Sequence, residues 1–337
     1  MGAGRAPPVE GDRLMFSSLA EIVSRAESTG RPIWRIVLDE EDEDADTTGE
    51  RVLERLGERL ATMREAVERG LHSDAPSVSG LLGGGARRFE TWRGQGASVL
   101  GPFLGKVVAR AQATMEVNAR MGTIVATPTA GSSGILPAVL FSAEEELGLS
   151  EEDLVRGLLV AAGVGQVIVA RASVSGAAGG CQAETGSAAA MAAGALTALR
   201  GGGPAQVSES VAFTLQGMLG LICDPVAGLV EVPCLTRNVS GAVQAVAGSE
   251  LALAGLHFPI PADEVIDVMG QIGNELDEKY RETAKGGLAA TATGRRLAAS
   301  VRWDGPGFEN TNAARARDLA DTGPAPAADP DGGESHG

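Results

Sequence analysis

Apolar residues recur along most of the chain at the spacing of an α-helix. Val52, Leu53, Leu56, Leu60 and Met63 recur at intervals of three and four residues, with Glu and Arg between them. This spacing places the apolar side chains on one face of a helix and the charged side chains on the other. Strand-like alternation is nearly absent, so the pattern predicts a mainly α protein.

Further helices are predicted between short segments rich in Gly, Pro, Ser or Asp. Ser150, followed by three acidic residues, resembles an N-cap with negative charge at the positive end of a helix. Few aromatic residues and many Ala and Gly residues favour closely packed helices over a sheet. The predicted helices cover 103–121, 134–147, 150–170, 186–200, 206–220, 236–256 and 262–280.

Composition separates the two ends of the chain from its middle. Residues 1–14 are rich in Gly, Pro and charge and are predicted to be a flexible leader. Residues 304–337 have almost no large apolar side chains to offset the entropy of ordering, so a disordered acidic tail is predicted. Residues 15–303 are predicted to form the helical domain. No repeat with a period of about 20–50 residues indicates a solenoid.

The net charge and the lengths of the apolar runs argue against nucleic acid and membrane as partners. The formal charge of −16 and the pI near 4.7 argue against nucleic acid, whose phosphates bind clustered Lys and Arg. The most apolar run, residues 157–170, is shorter than the roughly 20 residues that cross a bilayer. It predicts a buried helix and no membrane contact. The first residues lack the apolar core of a secretory signal, so we expect a cytoplasmic protein.

Four segments rich in Gly, Pro and Ser interrupt the helical pattern. Loops of this composition let backbone amides approach a ligand closely. Any one of them alone is explained as well by a simple connection between helices. The segments are 77–85, 126–134, 172–187 and 221–234.

The three cysteines, Cys181, Cys223 and Cys234, all lie in or beside these loops. Each adjoins a Gly pair or a Pro, where a backbone break can present sulfur to a metal, and three soft thiolates suit iron–sulfur or zinc. Zinc normally requires a fourth ligand and a short C-x₂₋₄-C pair, which this chain lacks. Spacing alone also leaves open that each cysteine is a small buried apolar residue.

A [4Fe–4S] cluster held by three cysteines leaves one iron without a protein ligand. An open metal position can bind substrate as a Lewis acid, whereas a fully ligated cluster indicates electron transfer. Three cysteines on one cluster therefore predict catalysis.

The chain resembles the iron–sulfur-dependent L-serine dehydratases, specifically the alpha chain of their two-chain form. The resemblance runs from Met15 to about Leu297, and the cysteine separations of 42 and 11 residues are similar to the family's. The motifs that carry it are MGTIVATPTAGSSGILPAVL (121–140), SGAAGGCQAETGSAAAMAA (175–193), MLGLICDPVAGLVEVPCLTRN (218–238) and KYRETAKGGLAATATGR (279–295).

The resemblance implies a helical catalytic domain that converts L-serine to pyruvate and ammonia. It implies that Cys181, Cys223 and Cys234 bind a [4Fe–4S] cluster whose open iron acts on the substrate hydroxyl. It further implies a small amino-acid substrate, a separate beta subunit and a hetero- or homo-oligomer. Because no fourth cysteine can cover the open iron, we expect strong sensitivity to oxygen.

Several polar side chains are candidates for holding the substrate. Hydroxyls ahead of the helix predicted from residue 134 can bind its carboxylate, because the positive end of a helix attracts anions. Arg281 offers a charge-assisted contact, as does Lys285, and Arg171 can pair with the anion of a larger substrate. The hydroxyl candidates are Thr127, Thr129, Ser132 and Ser133.

Lys285 and Ser175 are the predicted catalytic residues. Lys285 in its amine form can take the α-proton, and Ser175 assists. An ordinary solvated helix end explains Lys285 equally simply. No histidine of the chain is well placed, so an activated hydroxyl or a residue of the beta chain remains an alternative base.

Departures from the family pattern leave the substrate open. Arg171 stands where the family usually has Asn, Arg120 stands where it often has Ala, and 86–88 is basic where an acidic residue is common. The alternatives are β-elimination on threonine, cysteine or a serine derivative, and a non-catalytic cluster-binding homologue. A pyridoxal-phosphate lyase is a further alternative, based on the glycines at 201–203 and after Lys285.

Overall fold

A computed structural model describes residues 16–42 and 48–301. The predicted leader and tail, 1–14 and 304–337, lie outside the described residues. Within the described residues the chain forms helices and short helical turns and no β-strand. Two isolated β-bridges join Pro76 to Gly83 and Cys223 to Arg281. The predicted mainly α fold is confirmed.

Thirteen helices are present in the described residues, connected in part by single helical turns. The helices are α1 (Leu19–Thr29), α2 (Ile33–Asp42), α3 (Gly49–Leu71), α4 (Gly85–Gly94), α5 (Gly101–Asn118), α6 (Ile135–Leu147), α7 (Glu151–Arg171), α8 (Gly176–Gly179), α9 (Ser187–Leu199), α10 (Pro204–Gln216), α11 (Cys234–Leu253), α12 (Ala262–Glu275) and α13 (Ala292–Ser300). The short turns are 3₁₀ at Ala130–Ser132, Val226–Gly228, Glu278–Tyr280 and Gly287–Ala290, and π at Gln182–Gly186.

Helix α7 begins where the acidic N-cap pattern predicts. The Asp153 amide donates to the Ser150 hydroxyl at 3.2 Å, and the Ser150 amide donates to the Asp153 carboxylate at 3.0 Å. This reciprocal capping box satisfies two amides that a helix start leaves free. Helix α7 is long and apolar enough to cross a membrane, but 67% of its most apolar window is buried inside the molecule. Residues 157–170 therefore belong to a core helix, as predicted.

Helix α9 lies at the centre of the core. Every residue from Ser187 to Thr197 is buried, and α9 packs against α6, α7, α10 and α11. A helix that is apolar on all sides must be surrounded by other elements, and its many Ala and Gly side chains allow close approach. The chain enters α9 through the π-turn that follows Cys181. The most deeply packed element thus anchors the first cysteine.

Glycine permits the close crossing of α3 and α5. A Cβ built on Gly70 would lie 2.1 Å from the carbonyl oxygen of Ala113, whereas one on Gly57 of the same helix meets nothing within 4 Å. We expect Gly70→Ala to destabilise the protein by about 1–3 kcal/mol through overpacking. Gly57→Ala is the matched control and is expected to stabilise by up to about 1 kcal/mol. Urea unfolding of both variants checks this; equal effects would contradict the proposed close crossing.

Candidate active site

Two of the cysteines lie where helical elements begin and the third lies in a loop, so none lies in the middle of a helix. Cys181 directly precedes the π-turn, Cys234 is the first residue of α11, and Cys223 lies in the loop after α10. All three are buried and none forms a disulfide. The Cys223 amide donates to the Tyr280 carbonyl, and its own carbonyl accepts from the Glu282 amide, both at 2.9 Å. These bonds bring residues 280–282 against the cysteine loop.

The cysteine thiols share one electrostatic environment. Burial is the main cause that raises the pKa of Cys181, Cys223 and Cys234 above the ordinary value, and the Cys181 thiol further raises the pKa of the other two. The Thr185 hydroxyl lies 2.9 Å from the Cys181 sulfur. Each thiol is therefore neutral without a bound cation and would have to release a proton to bind a metal.

Two carboxylates that the sequence analysis did not single out lie at this centre. Ligand atoms of Glu184, Cys223 and Glu282 all lie within 4.8 Å of one another. Glu184 belongs to the π-turn, one turn after Cys181. Burial raises the pKa of Glu184 to about 7, with the Glu282 carboxylate as the second cause, and burial also raises the pKa of Glu282.

Glycines leave room for the Glu184 carboxylate. A Cβ on Gly176 would lie 2.7 Å from Glu184 Oε2, and one on Gly131 would lie 3.2 Å from either carboxylate oxygen. The Thr129 hydroxyl and the Gly176 amide donate to this carboxylate. Two of the predicted glycine-rich loops, 126–134 and 172–187, therefore meet at Glu184, next to the predicted residue Ser175, which is exposed.

Asn238 of α11 ties the 126–134 loop to the third cysteine. Its side-chain amide donates to the carbonyls of Gly131 at 2.7 Å and Cys234 at 2.9 Å, while its Oδ1 accepts from the Gly134 amide at 3.0 Å. Asn238 is fully buried. Because all three bonds go to backbone groups, the loop and the start of α11 hold a fixed relative position.

The predicted hydroxyl residues lie in this loop with different environments. The Ser132 hydroxyl lies 3.1 Å from that of Thr129 and donates to the Thr127 carbonyl at 3.3 Å. The Ser133 hydroxyl donates to the Ala130 carbonyl at 2.9 Å. Ser132 and Ser133 are fully buried and brace the loop, whereas the Thr127 hydroxyl is buried without a hydrogen-bond partner in the described residues.

The predicted charged residues already have protein partners. The Lys285 amine is half exposed and pairs with Glu278. The Arg281 guanidinium donates to the carbonyls of Leu276 at 2.7 Å and Asn274 at 2.6 Å, at the C-terminal end of α12. The structure thus brings Thr129 and the cysteines together around Glu184, and gives Lys285 and Arg281 separate partners.

Arg171 and Arg120, the two arginines that depart from the family pattern, form ion pairs. Arg171 donates to Asp267 at 2.5 Å and lines a cavity of about 370 Å³ beside α12. Arg120 pairs with the buried carboxylate of Glu116, one turn earlier on α5, at 2.9 Å. Each arginine balances a nearby acidic side chain.

The three thiols fit an iron–sulfur group better than a single ion. Thiolate sulfur is the preferred donor for iron–sulfur clusters. The three thiols are buried, form no disulfide and are carried by separate segments. Among the described residues, the ligand set that converges within 4.8 Å is Glu184, Cys223 and Glu282, and not the three sulfurs.

The fold and the site define a helical protein with a buried three-thiol centre flanked by two carboxylates. The family model described as the serine dehydratase alpha chain matches residues 28–289. The chain belongs to the serine dehydratase alpha chain family, which confirms the resemblance drawn from the motifs.

Relatives of two lengths match the chain. The probable L-serine dehydratase alpha chain of Bacillus subtilis (strain 168) is 44% identical over 300 residues, covering 89% of this chain and 100% of the relative. The L-serine dehydratase alpha chain of Peptoniphilus asaccharolyticus is 42% identical over 283 residues, covering 84% and 97%. The L-serine dehydratase of Streptomyces coelicolor is 38% identical over 283 residues, covering 81% of this chain and 60% of the relative.

Proposed function

We propose that this chain is the cluster-bearing subunit of an L-serine dehydratase that converts L-serine to pyruvate and ammonia. The observation that carries the proposal is the convergence of Glu184 and Glu282 with Cys223, in a centre that also buries two further thiols. Two relatives named as L-serine dehydratase alpha chains match nearly end to end, which supports L-serine as the substrate.

The reaction requires a base and a way to stabilise the leaving hydroxide. Serine loses its α-proton and its β-hydroxyl as water, and the resulting aminoacrylate tautomerises to an imine that takes up water and releases ammonia. In this proposal Cys181, Cys223 and Cys234 hold a [4Fe–4S] cluster. When bound, the cluster supplies a Lewis acid that withdraws electron density from the hydroxyl oxygen.

Glu184 is the proposed proton acceptor. A general base works best when its pKa lies near the working pH, and the buried Glu184 carboxylate has a pKa of about 7. The Thr129 hydroxyl and the Gly176 amide hold the carboxylate in one orientation. Glu282, close by, is suited to neutralising the substrate ammonium, since opposite charges attract strongly at a site shielded from water.

The 126–134 loop is proposed to bind the substrate carboxylate. The Thr127 hydroxyl is available for this, because it is buried without a hydrogen-bond partner in the described residues, whereas Ser132 and Ser133 bond to loop carbonyls and Thr129 faces Glu184. Arg281, which caps α12, is proposed to orient the 280–282 segment that pairs with Cys223.

We further propose a beta subunit as partner and the cytoplasm as the place of action. The matched alpha chains are named as parts of a larger enzyme, and the longer Streptomyces relative extends well beyond the matched region. A second chain can supply groups that complete the pocket. The burial of α7 supports a protein without a membrane span.

Anaerobic purification followed by iron, acid-labile sulfide and pyruvate assays tests the proposal. We expect equal iron and sulfide contents of about four per chain, pyruvate formation from L-serine in the presence of the beta subunit, and loss of activity within hours in air. Iron without sulfide would indicate a single ion at the Glu184–Cys223–Glu282 set. Faster turnover of threonine or cysteine than of serine would reassign the substrate.

A further inference from the structure

Arg237 of α11 contacts the segment on both sides of Cys223. It lies one turn after Cys234, and its side chain is only 15% exposed. Its guanidinium donates to the Ile222 carbonyl at 2.7 Å and pairs with Asp224 Oδ1 at 2.7 Å. These two partners are the immediate neighbours of Cys223, so one side chain fixes the second cysteine relative to the helix that carries the third.

The same guanidinium reaches the first cysteine. The Arg237 guanidinium lies close enough to the Cys181 thiol for the two groups to interact electrostatically. Arg237 is therefore a largely buried cation on the helix that begins at Cys234, and it bonds to both neighbours of Cys223 and interacts with the Cys181 thiol.

Asp224 extends the contact to the segment that carries Glu282. Its Oδ2 accepts from the Leu288 amide at 2.6 Å. Gly287, with a φ of +57°, allows this approach, because a Cβ there would lie 2.2 Å from the same oxygen. A planar guanidinium has N–H donors at fixed angles and can bond to several acceptors at once. A lysine amine cannot reproduce this geometry.

We propose that Arg237 is a positioning residue that assembles the three-cysteine centre and balances its negative charge once a cluster is bound. The charge-balancing part rests on the proposed function, whereas the assembling part concerns the folded chain itself. Removing the branched N–H donors of the guanidinium is expected to loosen the Cys223 segment and its pairing with residues 280–288. Removing the positive charge is expected to make the bound cluster harder to reduce.

Hydrogen exchange on the full chain without cluster tests the assembling role. In Arg237→Gln, the amides of Cys223, Glu282 and Leu288 are expected to exchange at least about tenfold faster, because hydrogen bonds to a charged group stabilise this segment. Arg120→Gln is the matched control, since the Arg120–Glu116 and Arg237–Asp224 pairs have the same exposures of 15% and 2%. Equal exchange in the two variants at these amides would overturn the assembling role.

Redox titration of the reconstituted cluster tests the charge-balancing role. Arg237→Gln is expected to lower the reduction potential, while Arg237→Lys, which keeps the charge, is expected to retain the wild-type potential and still show faster exchange. An unchanged potential in Arg237→Gln would overturn this role, and full restoration of slow exchange by Lys would show that the branched N–H donors are unnecessary. If the wild-type chain takes up no iron and sulfide, the proposed function and the charge-balancing role fail, and the exchange experiment still decides the assembling role.

Discussion

Replacing Glu184 by Gln is expected to lower kcat for L-serine by about 10²- to 10⁴-fold, the usual contribution of a positioned general base. Gln keeps the size of the side chain, but it cannot accept the α-proton. Because the base acts when deprotonated and the pKa of Glu184 is about 7, wild-type kcat/KM is expected to fall as the pH drops below about 7. Pyruvate formation across a pH series measures both effects.

Two controls make the Glu184 result specific. Glu116→Gln removes another buried carboxylate, one that pairs with Arg120 and does not belong to the Glu184–Cys223–Glu282 set, and it is expected to leave the acid limb of the pH profile unchanged. Lys285→Gln tests the base predicted from the sequence, whose amine pairs with Glu278. If Lys285→Gln abolishes turnover and Glu184→Gln does not, the assignment of the base reverts to Lys285.

Much of the fold follows from local patterns, with errors where local signals are weak. The predicted helix at 262–280 ends at Glu275, because the chain turns at Leu276 and continues as a separate 3₁₀ turn. The predicted helix at 103–121 ends at Asn118, where Met121 adopts a φ of 59° and the Gly122 amide closes a turn on Val117. Helix interiors are set by apolar periodicity, whereas their ends depend on tertiary contacts.

The short helices α1, α2 and α4 lie outside the predicted ranges. Helix α4 follows the 77–85 loop and buries little besides Ala86, so its apolar face is too narrow to recognise from spacing. Helices α1 and α2 bury their apolar residues against the core helices, α7 among them. Leu19, Ile22 and Ala26 recur at helical spacing, so α1 carried a local signal that the predicted ranges did not include.

Some residues of the site can be recognised from the sequence, and others are brought to it only by the fold. The cysteines and the glycine-rich loops were recognisable because backbone breaks next to thiols are unusual. Glu184 is recognisable in the sequence, since it is the one charged residue between Arg171 and Arg200. Glu282 is not recognisable, because it lies among charged neighbours and reaches the centre only through the pairing of its amide with the Cys223 carbonyl.

Replacing any one of Cys181, Cys223 or Cys234 by Ser is expected to remove nearly all bound iron and sulfide, together with the brown absorption and all serine turnover. Each thiolate is one of only three protein ligands in this proposal, and a hydroxyl is a poor donor to iron–sulfur. The substitution changes one buried atom, so the helical fold is expected to persist. Iron and sulfide assays on anaerobically reconstituted protein, with far-ultraviolet circular dichroism, measure both outcomes.

The control for this series is Ser249→Ala, which also changes one buried atom. Ser249 lies on α11 and bonds to Thr197 of α9 at 3.0 Å, in the helical core and not among the cysteine loops. It is expected to retain full iron and sulfide. If a cysteine variant also retains its iron and sulfide, that cysteine is an ordinary buried side chain. If all three variants retain them, the thiols hold no cluster, and the set of Glu184, Glu282 and Cys223 becomes the remaining metal site. Because the three cysteines lie on separate segments, unequal losses among the variants would show which segment holds the cluster most firmly.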